Sequence, residues 1–409
     1  MSINLMNTIP AKIAKRIYRA HAEKRERDAV TALMREAGAF DGIKNTAPGK
    51  VRNVAFLIQG LPRFSGGATS ILRIGTHLAE NGFAVSYIDF SGLSVQELER
   101  NAAFNLGGFK GTLRKLDDTD PDGYDVVIAT TWLSFYRLGR FRAYKMYFVQ
   151  DYEPYLCENY ESALLAKATY EAGAHIVCLG SWTAKKIREL CETEAVLDTV
   201  PFPYEPEEYP RKPERDFDAY PGKKKIRIAV YAKEEGKRIP HVVQNLLCKA
   251  KEELRTGGID LEILFFGYRK GYKPLAGRNL GLLSKAELQD LYEHADFGMC
   301  ASMTNISLVT YEMIATGLPV IECKDGSFTA YFKDDEAILI DYDYRTFVRK
   351  LLQYKNDSGK LKEMTDSAYA AMRDASWEKT GDAFIRILAG LPDIEKDRHF
   401  LQDNKQDAF

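Results

Sequence analysis

The chain has 409 residues, 45% of them hydrophobic and 28% charged, with a formal net charge of -1. That length supports two or three domains, each able to bury a core of its own. The balanced charge argues against nucleic acid as a partner, because no basic excess is there to neutralise phosphates.

Residues 1–50 differ from the rest, with ten Lys/Arg against five Asp/Glu. The basic residues concentrate between Lys12 and Arg27, and Ile13 and Ile17 fall four apart. That spacing predicts a basic amphipathic helix, able to lie on an anionic membrane surface or to pack on a partner. Gly/Asn/Pro-rich punctuation at 42–49 follows it.

From Val51 the pattern becomes strand, glycine loop, helix. Val54–Ile58 reads as a strand, residues 60–67 as the loop, and a helix runs on to about Glu80. Phe83–Phe90, Asp125–Thr130, Met146–Val149 and His175–Leu179 read as further strands, the last followed by a helix from Trp182 to Cys191. Short apolar strands separated by helices predict a parallel α/β sheet. Residues 201–225 then carry prolines at 201, 203, 206, 210, 213 and 221 with few aliphatics, which is the composition of a linker.

After it the alternation restarts. Strands are expected at Ile226–Tyr231, Leu261–Phe266, Asp296–Cys300 and Val320–Cys323, and helices at Val242–Leu254, Lys285–His294 and Leu308–Ala315. The organisation expected is a basic helical extension at 1–50 and Rossmann-like doubly wound domains at 51–205 and 206–375. A helix at 376–392 would pack back on the first domain, and a polar tail would occupy 393–409. Two such units facing each other make one deep cleft at the carboxyl ends of their strands.

Candidate chemistry falls at those strand ends. Gly66 and Gly67 open a helix directly after a strand, where bare backbone can approach a phosphate or an acceptor. Their spacing is not G-x-G-x-x-G, which counts against a nicotinamide dehydrogenase. Lys233, Lys237 and Arg238 follow the first strand of the second unit, where cations can grip a diphosphate. Asp151 and Glu153 follow a first-domain strand and either face an acceptor hydroxyl or cap the next loop. A polar loop with Thr304, Asn305 and Ser307 leads into a helix at Leu308, stopped by Gly317 and Pro319. Glu312 lies one turn into that helix among apolar neighbours, within reach of a ribose hydroxyl while the helix N-terminus faces phosphate.

The six cysteines form no C-x-x-C pair and the six histidines no H-E-x-x-H. Neither a zinc site nor a disulfide framework is legible, so a reducing, cytoplasmic setting is expected. No apolar run approaches the ~20 residues of a membrane span, and no signal peptide follows Met1.

The stretch Phe297–Val320 resembles the signature of retaining glycosyltransferase family four, of GT-B fold. The usual form is Glu-x7-Glu followed by Ala-x-Gly-x-Pro-Val. Thr304 stands at the first glutamate position, and Glu312 matches the second. Phe148-Val149-Gln150-Asp151-Tyr152-Glu153-Pro154-Tyr155 is similar to the V-Q-D-Y-E-P-Y stretch of WsaF-like bacterial rhamnosyltransferases, which also lack the first glutamate. Tyr231-Ala232-Lys233 through Lys237-Arg238 resembles their Y-G-R…K-R diphosphate segment.

The resemblance implies a metal-independent, cofactor-free retaining transfer from a nucleotide sugar, with dTDP-rhamnose the leading donor. The acceptor would be a growing cell-surface glycan, lipid-linked or free, and the enzyme cytoplasmic or peripheral at the inner membrane. UDP- or GDP-linked donors, or a degenerate nucleotide-sugar-binding module of a polysaccharide assembly complex, are the alternatives. By the same resemblance Lys233 and Arg238 would neutralise the leaving diphosphate, and Asp151 and Glu153 would meet the acceptor. Lys237, Thr304, Asn305, Ser307, Leu308 and Glu312 would hold the donor, with Gly267 and Leu283 beside its base. Gly66 and Gly67 would lie near the donor phosphate or the acceptor.

Overall fold

The computed structural model describes residues 41–211, 215–233 and 236–393, with positions 31, 34 and 35 ahead of them. The predicted basic helix at 12–27 and all but the first residue of the 393–409 tail lie outside the described residues.

Among the described residues the first sheet comprises β1 (Asn53–Ile58), β2 (Ala84–Asp89), β3 (Thr112–Lys115), β4 (Val126–Ala129), β5 (Tyr144–Val149), β6 (His175–Leu179) and β7 (Leu197–Val200). All neighbours run parallel, in the order β3-β2-β1-β4-β5-β6-β7. Connecting helices α1 (Gly66–Glu80), α2 (Val95–Asn105), α3 (Trp132–Phe135), α4 (Tyr160–Glu171) and α5 (Ser181–Leu190) complete the unit. Parallel strands are covered on both faces, which is why β1 and β4 are almost uninterrupted apolar runs, buried from end to end after Asn53.

The second sheet comprises β8 (Lys225–Tyr231), β9 (Asp260–Phe266), β10 (Arg278–Asn279), β11 (Phe297–Cys300), β12 (Val320–Cys323) and β13 (Ile338–Ile340), again all parallel. Their order is β10-β9-β8-β11-β12-β13. Helices α6 (Pro240–Thr256), α7 (Lys285–His294), α8 (Leu308–Ala315), α9 (Tyr344–Lys355) and α10 (Ser358–Met372) belong to it. Both sheets reverse direction of winding at their centre, between β1 and β4 and between β8 and β11. The crevice outside those carboxyl ends is where doubly wound sheets take ligands.

The last α-helix among the described residues, α11 (Trp377–Gly390), returns to the first unit. Phe384 is fully buried there, its ring 6.3 Å from Phe56 and 5.8 Å from Phe148. Burying one such ring contributes about 2–3 kcal/mol. Asp382 lies 2.8 Å from His77 Nε2, and the Thr380 hydroxyl donates to Pro201 O at 3.0 Å. No helix among the described residues is long and apolar enough to cross a membrane.

The segment with a linker's composition is packed where it is described. Phe202, Tyr204 and Tyr209 are buried in the core between the units. Arg73 of α1 reaches Glu205 at 2.5 Å and Glu208 at 2.6 Å, and Lys285 also pairs with Glu208. The few aliphatics there suggested solvation, but the aromatics do the burying.

Candidate active site at the domain cleft

At the end of β5, Asp151 points out of its own unit and is only 5% exposed. Thr304 Oγ1 donates to its carboxylate at 2.9 Å, and the Asn305 backbone N–H does so at 2.9 Å. The Lys237 ammonium pairs with the same group, and Tyr152 N donates at 2.9 Å. One first-domain carboxylate thus gathers three donors from the second domain. Asn305 reciprocates, its Nδ2 donating to Gln150 O at 2.7 Å and Leu179 O at 2.9 Å. Its Oδ1 accepts from the Tyr331 hydroxyl at 2.5 Å. Tyr331 in turn fills the space above Gly180, whose φ of +83° and missing Cβ both matter: a side chain there would be strained and would strike the tyrosine.

Facing this seam, the turn Gly236–Arg238 follows β8. Arg238 is 3% exposed, its Nη1 donates to Ala301 O at 3.4 Å, and its guanidinium stands 5.9 Å from the Tyr231 ring centroid. Among the described residues its Nε is buried with no hydrogen-bond partner. A buried, unsatisfied donor on a charged group costs free energy until an acceptor arrives, and an anion is the natural one. Lys233 lies two residues past β8, half-buried. Helix α8 begins beside them, with Ser307 as its N-cap accepting from Val309 N at 3.3 Å. Across the cleft, a Cβ on Gly66 would lie 3.5 Å from the Leu308 side chain, and Gly67 O accepts from Gln150 Nε2 at 3.2 Å. The glycine turn at the start of α1 and the N-terminus of α8 therefore confront each other.

No protein-family model matches the chain. Solved structures do. Sucrose-phosphate synthase from Thermosynechococcus elongatus aligns with a TM-score of 0.62 at 12% identity, over 83% of this chain and 99% of that one. HepE from Anabaena, in complex with UDP and glucose, aligns with a TM-score of 0.63 at 11% identity, over 83% of this chain and 100% of its own. S. aureus TarM aligns with a TM-score of 0.62 at 8% identity, over 82% and 99%. The fold is GT-B. A curated relative, the O-antigen biosynthesis protein RfbC of Myxococcus xanthus, is 24% identical over 376 residues, 84% of this chain. The chain spans 27% of that relative's length.

On the far side of the GT-B cleft, Glu312 is half-buried and accepts from the Tyr292 hydroxyl at 3.3 Å. Burial pushes its carboxyl up to about 7, against the pull of that hydrogen bond. The contact joins α8 to α7, whose N-cap Ser284 follows Leu283. Gly267 directly follows β9 with a φ of +95°, and a Cβ there would lie 2.5 Å from Ala232 O. Only glycine lets these two strand ends approach so closely. Glu153 is tied to its own domain, accepting from Trp132 N at 2.6 Å and from the Tyr147 hydroxyl, and burial pushes it up to about 7.

Two residues that shape the site carry little mark in sequence. Tyr331 has none. Glu322 of β12 is 1% exposed and accepts from Ser302 N at 2.9 Å, Ser302 Oγ at 2.8 Å and Thr310 Oγ1 at 2.9 Å. Its signal was available: a charge inside the four-residue apolar run Val320–Cys323 must have buried partners. Burial raises this carboxyl to about 7, while Arg238 pulls it down.

Glu153, Glu312 and Glu322 all sit at about 7, above the roughly 4.3 of an unfolded glutamate. Between those values the folded chain holds protons that the unfolded chain has released. Unfolding free energy therefore falls as pH rises through that window and levels off above about 7. Each group adds up to about 1.4 kcal/mol per pH unit. Glu322→Gln should flatten the slope by about one such share in urea titrations across the window. An unchanged slope would remove Glu322 from this account.

Proposed function

We propose that this chain is a retaining glycosyltransferase that moves a sugar from a nucleoside diphosphate sugar onto a cell-surface glycan. One observation carries the reading: Lys237, the orphaned Nε of Arg238 and the N-terminus of α8 converge opposite the glycine turn of the first domain. That is a set of anion donors at one switch point facing bare backbone at the other. When the glycosidic C–O bond breaks through an oxocarbenium-like state, negative charge grows on the departing diphosphate. Lys233, Lys237, Arg238 and the helix terminus stabilise it. Glu312, braced by Tyr292, takes the ribose, and the base lies by Gly267 and Leu283. Thr304 and Asn305 hold Asp151 and so fix the angle between the domains. Asp151 and Glu153 stand on the acceptor side as braces: Thr304, Asn305, Lys237 and Tyr152 hold Asp151, and Trp132 and Tyr147 hold Glu153.

The likeness to WsaF-like enzymes, with Thr304 where a sugar-binding glutamate is usual, favours a 6-deoxy sugar and dTDP-rhamnose. The HepE and TarM complexes with UDP support a UDP-sugar as the second reading. The name of the O-antigen relative supports a cell-surface glycan as product. The basic segment at 12–27 favours attachment to an anionic inner membrane face.

Thermal unfolding with dTDP, UDP, GDP, ADP and NAD, without added metal, is the test. One nucleoside diphosphate should raise the midpoint by several degrees at about a hundred times its Kd. A shift with dTDP supports rhamnose, and a shift with UDP supports the second reading. No shift with any nucleoside diphosphate would sink the assignment.

A further inference from the structure

The loop between β1 and α1 holds two non-glycine residues in left-handed backbone, Leu61 at φ +48° and Phe64 at φ +57°. Neither is a residue that adopts this conformation readily, and each costs of order 1–3 kcal/mol. Such strain persists only where the surroundings over-determine it. Here two asparagines of α2 do so. Asn101 Nδ2 donates to Gly60 O at 3.2 Å, and Asn105 Nδ2 to Leu61 O at 3.3 Å and Pro62 O at 3.0 Å. Asn105 Oδ1 accepts from Ser65 N at 3.4 Å, and Asp89 takes Gly60 N at 2.9 Å. Leu61 turns inward and is 2% exposed, so its strain serves the core. Phe64 turns outward and is 42% exposed, so its strain buries no ring in the core.

What the loop displays is a built surface. The Phe64 ring meets Phe104 edge-to-face at 4.6 Å, and Phe104 is itself 46% exposed. The Arg63 guanidinium, held by Asn101 Oδ1 at 3.2 Å, stands 5.3 Å from the Phe104 centroid. Phe64 is two residues from Gly66, which faces Leu308 of the donor helix. At 3.8 Å per residue the Cα of Phe64 stands within roughly 8 Å of that of Gly66. Exposed aromatic faces beside a fixed guanidinium suit a sugar: its axial C–H face stacks on a ring while its hydroxyls accept from the cation.

We propose that Phe64, Phe104 and Arg63 form a stacking platform for a pyranose ring of the acceptor glycan, a subsite on the first domain beside the transfer point. The proposal rests on the glycosyltransferase reading. Phe64→Asn is the informative variant, because asparagine tolerates left-handed backbone and removes only the ring. Phe104→Leu removes the second ring without touching the loop. The probe is an immobilised array of bacterial and plant oligosaccharides, read with the wild-type chain and both variants. At least one glycan should bind the wild type and lose about tenfold in affinity with each variant, while Phe64→Tyr retains binding. Calorimetry on the nucleotide identified by unfolding separates the two ideas. Wild type that binds no nucleoside diphosphate sinks the enzyme reading. Wild type that binds nucleotide but no glycan, or folded variants that bind glycan unchanged, overturns the platform.

Discussion

Asp151→Ala is expected to cost about 3–5 kcal/mol of stability, more than a typical point substitution. The carboxylate is 5% exposed and is the common acceptor for Lys237, Thr304, Asn305 N and Tyr152 N. Deleting it leaves an ammonium, a hydroxyl and two backbone N–H groups without their acceptor in a site with little water to replace it. Asp151→Asn should fall between the two. Its carbonyl can still accept from the two N–H groups, and the Thr304 hydroxyl can turn to accept from the new amide. The Lys237 ammonium cannot turn, having only donors. Because three of the four donors belong to the other domain, the loss should also loosen the seam. Urea unfolding followed by fluorescence should then show a broadened or split transition, the mark of domains that no longer melt together. Wild-type stability and a single sharp transition in the alanine variant would show that the Asn305 bonds hold the domains without Asp151.

What could be read from residues alone, and what could not, divides along physical lines. Central strands were legible because burial on both faces makes them apolar runs: β1, β4 and β11 stand out, and β8 does over Ile228–Val230. Edge strands were not. β3 alternates exposed and half-buried residues over four positions, and β10 is two residues long, so neither leaves a periodic trace. Helix α2 passed unmarked although its capping box, Ser94 with Glu97, was a usable signal. For the candidate site, strand-end placement singled out Asp151, Lys237, Arg238 and Asn305 one at a time. It did not reveal that Asp151 and Thr304, 153 residues apart, meet across the cleft. Periodicity reports which face of an element is buried, and says nothing of which distant loop will cover it.

Arg238→Ala should lower the rate of sugar transfer by roughly a hundred- to a thousandfold, the usual cost of removing one donor that meets developing charge. Two outcomes separate a role in transfer from a role in the fold. Among the described residues Arg238 makes one long bond, to Ala301 O at 3.4 Å, and leaves Nε without an acceptor. Removing it therefore discards little native bonding, and stability should change far less than activity. It also withdraws the positive charge that pulls Glu322 down, so that carboxyl should titrate higher than in wild type. Arg238→Lys keeps the charge and loses the planar fork, and should recover part of the rate but not all of it. The measurement is single-turnover release of sugar from the nucleotide sugar that the unfolding scan selects, paired with urea unfolding of each variant. Slow transfer in a stable alanine variant places Arg238 on the leaving diphosphate. If stability instead collapses in step with the rate, the guanidinium is part of the scaffold, and Lys233 and Lys237 must carry the charge of the transition state without it.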